Sequence, residues 1–141
     1  MSIDENELLD ALENETNSSI VNLTNRKIKE HKNTILQQIF SKKEDLKKYN
    51  KVLKDYRYCN DMRDIQYGFF VRWFNLKDED NISLKKGAVI LDMLIVEGGV
   101  QLLLKTFRNN LFKIKFDEVV LFQKISREEK LILSVLEYLE K

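Results

Sequence analysis

Between Gln66 and Lys124 the apolar residues gather into four dense runs, QYGFFVRWFNL, AVILDMLIV, VQLLLKTF and LFKIKFDEVVLFQK, separated by short turn signals. On either side they recur every three or four positions among lysines and glutamates, which is helical spacing. Connections between the runs are too short for helical crossovers, so the strands they encode are expected to pair antiparallel. The chain is therefore expected to be α+β. A helical arm or hairpin of two to three helices occupies 1–60, and a small β-barrel-like domain with a C-terminal helix occupies 61–141.

The spacing predicts five strands: Gln66–Leu76, Ala88–Val96, Val100–Phe107, Leu111–Phe116 and Val119–Lys124. Glu97-Gly98-Gly99 is a hairpin signal, because glycine accepts the positive φ that tight turns need. Phe112, Ile114 and Phe116 alternate with Lys113 and Lys115, the pattern of one buried and one wet face. Such a sheet either curls into a small SH3-like barrel or leaves edges that need cover.

Residues 4–15 read as a short amphipathic helix with Leu8, Leu9 and Leu12 on one face. From 19 to 40 the spacing Val21, Ile28, Ile35 suggests a broken heptad, suited to an intramolecular hairpin or a dimer seam. Ser41–Glu44 and Ser126–Glu129 both match the capping box. The first is expected to open a helix running to about Tyr58, with Leu46, Tyr49, Leu53 and Tyr56 on its apolar stripe. The second opens a helix whose Leu131, Ile132, Val135, Leu136 and Leu139 could close one mouth or face of the sheet.

Composition narrows the chemistry. Twenty-four basic residues stand against twenty-three acidic ones, a net charge of +1, so no global field recruits polyanions. The single cysteine, Cys59, excludes an intrachain disulfide, and His31 and Cys59 alone cannot build a zinc site. The acidic start and the lack of a long apolar run point to a soluble, cytoplasmic protein without membrane contact. Gly98-Gly99 is a hairpin turn and not a phosphate loop, and the acidic segment Asp78–Asn81 lacks calcium-loop spacing. No cofactor, metal or small-molecule substrate is expected.

Three features retain binding potential. Lys42, Lys43, Lys47, Lys48, Lys51, Lys54 and Arg57 concentrate positive charge over 42–57, with Tyr49, Tyr56 and Tyr58 interleaved. That combination suits phosphate backbones and stacked bases, or else a solvated helix face over core tyrosines. Phe70 and Trp73 could line a partner groove, or simply fill the core. Asp92 interrupts an apolar strand, where it faces solvent, pairs with Arg72 or Lys105, or contacts a ligand.

The phrases YGFFVRWFNL (67–76), LKKGAVILD (84–92) and FQKISREEKLILSVLEYL (122–139), in a proline-free chain rich in Lys, Asn and Ile, are similar to uncharacterised small proteins of large, AT-rich DNA viruses. The resemblance implies an infected-cell cytoplasm or a virion as the setting, and carries no functional residues. The expectation is a non-enzymatic interaction or structural module for protein–protein assembly or self-association. The alternative is a nucleic-acid-associated accessory protein that uses the lysine-rich helix. An enzyme built on carboxylates such as Asp92 ranks third.

Overall fold

The computed structural model describes residues 5–13, 23–77, 80 and 82–139. It divides into two compact units, Met1–Arg57 with Ile125–Lys141, and Tyr58–Lys124. The C-terminal helix thus groups with the N-terminal helices, where the sequence reading grouped it with the strands.

The first unit holds α1 (Glu5–Glu13), α2 (Asn25–Ile39), α3 (Lys43–Val52) and α4 (Arg127–Leu139). Its core gathers Ala11, Ile28, Ile125, Ile132 and Leu133, with Leu8, Leu23 and Leu136 packed against it. Each such aliphatic side chain contributes roughly 1.5–3 kcal/mol on burial. Leu9, expected on the buried face of α1, is 55% exposed. Ile28 of the expected heptad serves this core, whereas Val21 lies outside the described residues. The Lys27 amide donates to Thr24 Oγ1 at 3.1 Å, which starts α2 with a side-chain cap.

Only one of the two capping boxes forms. Ser126 N–H donates to Glu129 Oε1 at 3.0 Å, and Glu129 N–H returns to Ser126 Oγ at 3.1 Å. At the start of α3 the cap residue is Lys42, with no side-chain bond to the helix amides. The helix also ends earlier than the sequence predicts, at Val52. Leu53 and Tyr56 are buried as expected, although both lie past the helix.

The missed element is β1 (Tyr56–Cys59), read from sequence as the end of the lysine helix. With β2 (Phe70–Asn75), β3 (Ala88–Val96), β4 (Gly99–Lys105), β5 (Leu111–Lys115) and β6 (Val119–Lys124) it makes a six-stranded sheet. The order is β1-β6-β2-β3-β4-β5, and the pairs β2–β3, β2–β6, β3–β4 and β4–β5 are antiparallel. The sheet is open, with β1 and β5 as its ends.

It cannot be flat. In the strand order β5 stands four places from β6, a span of about 19 Å at ~4.8 Å per strand. Only Phe116–Glu118, a 3-10 turn, connects the two, and it covers about 8 Å at ~2 Å per residue. The sheet must curl to bring these strands together. The ring of Trp73 on β2 accordingly lies 5.8 Å from that of Phe112 on β5. Inside the curl, Val71, Trp73, Ala88, Ile90, Leu102, Leu104 and Leu121 form the core with Cys59 and Ile65.

Two local devices shape the curl. Pairing shifts by one residue between Ile90 and Asp92, leaving Leu91 as the extra residue of a bulge. Gly87, with φ +113°, brings the chain into β3 against Phe70 and Val71. A Cβ there would lie 2.8 Å from the Val71 carbonyl oxygen and would collide with the Phe70 ring, so only glycine fits.

Candidate functional site

In the helical unit, α3 presents Lys43, Lys47 and Lys51 at intervals of four, and hence along one stripe. These, together with Lys42, Lys48 and Lys54, are all exposed. Ion pairs of this unit engage Arg26, Arg57, Arg127 and Lys130 instead. Among the described residues, no ion pair engages the lysines of α3. Tyr49 is core, stacked on Phe40 with ring centroids 4.8 Å apart, while Lys48 Nζ lies 5.2 Å from its ring.

Arg57 leaves the predicted basic set. It lies on β1 and is buried, with Nε 3.7 Å from Glu129 Oε2. A side chain withdrawn from solvent and matched to an internal carboxylate cannot reach a phosphate backbone.

Beside the lysine stripe lies a cleft of about 420 Å³ between α2 and α3, lined by Lys29, Glu30, Lys32, Asn33, Asn50 and Lys54. Lys32 forms its floor. Only 4% exposed, it donates from Nζ to the carbonyls of Leu53 at 2.8 Å and Tyr56 at 3.0 Å, with Lys54 O at 3.4 Å. An ammonium among carbonyls at a helix C-terminus meets the negative end of the helix dipole. Burial lowers the amine's pKa, and the nearby Lys29 charge lowers it further against the opposing pull of Asp55. The sequence reading missed this cleft. Its signal was two i,i+4 pairs, Lys29/Asn33 on α2 and Asn50/Lys54 at the end of α3.

In the sheet unit, Phe70, Trp73 and Asp92 do not form one groove. Trp73 is buried in the core, and Phe70, three residues away on the same strand, faces the other side. Asp92 lies beside the bulge and is half-buried. Its Oδ1 accepts the Met93 amide at 2.8 Å, next to the bulge at Leu91.

Exposed apolar residues are spread over the chain, Ile95 at 76% among them, and two lie on the β4–β5 hairpin. Phe107 is 97% exposed and Leu111 61% exposed. The turn between the strands is closed by backbone bonds: Thr106 N–H donates to Asn110 O, Asn109 N–H donates to Thr106 O, and Asn109 adopts φ 65°. Lys113 and Lys115 are exposed along the same edge strand. Phe107 had been read as a strand residue, which hid its position in the turn.

Of the remaining candidates, Cys59 is buried and its thiol lies 3.9 Å from the Asp64 carbonyl. His31 is exposed on α2. Asp78, Glu79 and Asn81 of the acidic loop lie outside the described residues. No described helix is long and apolar enough to cross a membrane.

Compared with protein-family models, curated proteins and solved structures, the chain matches none.

Proposed function

We propose that this chain is a non-enzymatic interaction module whose 58–124 unit is a small SH3-like curled sheet serving protein–protein assembly. The supporting observation is the open end of the sheet. There β5 offers an edge that no other described strand pairs, with Leu111 at its start and Phe107 in the adjoining turn, both exposed. An edge of this kind accepts a further strand through main-chain bonds, while neighbouring side chains set the choice of partner. Lys113 and Lys115 favour an extended partner segment with acidic residues at alternating positions. A second copy of β5 would bring like charges together, so the occupant is a different, acidic strand. Asp92 is assigned a structural role at the bulge. Following the sequence resemblance, the setting we propose is an infected-cell cytoplasm or a virion.

Fluorescence anisotropy with extended peptides tests this reading. A peptide alternating apolar and acidic residues is expected to bind, and the double substitution Phe107→Ser/Leu111→Ser to abolish binding. Equal binding of a matched basic peptide, or no binding at all, would remove the reading.

A second reading rests on the Lys43, Lys47 and Lys51 stripe, which suits a nucleic-acid backbone. Mobility shifts across a salt series are expected to weaken steeply with salt and to vanish on charge reversal at Lys47, Lys48 and Lys51. Absence of any shift at low salt would eliminate it.

A further inference from the structure

We infer that the cleft between α2 and α3 is a binding site for a phosphoryl oxyanion, gripped by Lys29 and Lys54 above the fixed charge of Lys32. The cleft is of ordinary small-ligand size, since such sites run from ~300 to 1,000 Å³. Its lining carries three lysines and one carboxylate. That carboxylate, Glu30, has Arg26 at 3.8 Å, which offsets its charge. Asp55, the other acid acting on Lys32, is bridged to Lys130 at 3.2 Å.

The polar groups are arranged asymmetrically. Among the described residues, the acceptors of Lys32 Nζ are backbone carbonyls, which fix its position without pairing it to a carboxylate. Asn50 spends its amide on Leu46 O at 2.9 Å and on Asn33 Oδ1 at 3.4 Å. With its oxygen turned to Asn50, Asn33 keeps its NH2 to donate at the cleft. Two ammonium groups free to move, one immobile and one amide donor form a set that complements a compact, multiply charged oxyanion.

Inorganic tripolyphosphate is the probe, titrated calorimetrically into the full chain at low ionic strength. Saturable one-to-one binding is expected. The exposed pair Lys29→Gln/Lys54→Gln should weaken it by about tenfold or more, the loss of charge-assisted bonds. Lys85→Gln/Lys86→Gln removes equal charge at two exposed lysines outside the cleft and should leave affinity nearly unchanged. Lys32 is left intact because it also holds the Leu53 and Tyr56 carbonyls of the turn beyond α3. A single-stranded oligonucleotide then identifies the source of the phosphoryl group. Displacement of tripolyphosphate assigns a strand backbone, and failure to displace assigns a free phosphate compound; both keep the site. No saturable binding, or equal losses in the two double variants, would overturn it. The titration can succeed where the mobility shift through Lys47, Lys48 and Lys51 fails, so the two ideas fall separately.

Discussion

Arg57 and Glu129 face each other at 3.7 Å with both side chains withdrawn from solvent. The separation exceeds a hydrogen bond, so the contact acts through charge. Glu129 simultaneously closes the capping box of α4 through Oε1. One residue thus ties the helix start to β1. The substitution Glu129→Gln keeps the cap acceptor but removes the charge that faces Arg57. Its effect and that of Arg57→Met should therefore be non-additive in a double-mutant cycle read by urea denaturation, with a coupling of about 0.5–3 kcal/mol. Additive effects would show that the pair is not coupled.

The same carboxylate sets a pH dependence. Burial raises its pKa above the ordinary glutamate range, against the Ser126 hydrogen bonds and the attraction of Arg57. Between the unfolded and folded values the folded chain binds more protons, so stability falls as pH rises through that window. Denaturation midpoints across mildly acidic pH should show this decline in the parent chain and a flatter profile in Glu129→Gln. Parallel profiles would contradict it.

Gly87 and Gly98 both adopt positive φ but differ in surroundings. A Cβ at Gly98 meets nothing within 4 Å, whereas at Gly87 it meets Phe70 and the Val71 carbonyl. Gly98→Ala should cost about 1 kcal/mol from backbone strain alone. Gly87→Ala should cost clearly more, about 2–4 kcal/mol, as overpacking adds to strain. Thermal denaturation of the two variants side by side measures the difference, and equal losses would refute the close approach.

The two Ser-x-x-Glu segments should respond differently to substitution. Ser126→Ala removes a formed cap and is expected to cost about 1 kcal/mol. Ser41→Ala should fall within about 0.5 kcal/mol of the parent, since Lys42 occupies the cap position of α3. Denaturant midpoints check both.

Lys32→Met withdraws the donor shared by the Leu53 and Tyr56 carbonyls. Leu53 O keeps the Tyr56 amide as a donor at 3.0 Å, so the loss is that of hydrogen bonds from a charged group, about 1.5–3 kcal/mol. Amides from Leu53 to Tyr56 should then exchange with deuterium faster than in the parent chain. Unchanged exchange there would mean that Lys32 does not hold this turn.

Local patterns carried far into the fold. The runs from Phe70 to Lys124 read as strands because side chains alternate faces along an extended chain, and the Glu97-Gly98-Gly99 turn followed from glycine's backbone freedom. The odd spacing of Phe70 and Trp73 already forbade one shared groove, a period-two constraint the aromatic count obscured. Ser41–Glu44 matched the capping pattern yet formed no box. Two matching side chains do not by themselves choose where a helix begins.

The amino-acid pattern by itself determined the α+β class, the β3–β4 hairpin and the position of most elements, since these rest on interactions between near neighbours. Tertiary structure alone decided that Arg57 is interior and that the lysine helix stops at Val52, with Lys32 holding the turn beyond it. The partners of those two side chains, Glu129 and the carbonyls of Leu53 and Tyr56, stand 72, 21 and 24 residues away along the chain. Only folding brings such groups close enough for Coulomb attraction and hydrogen bonding to act.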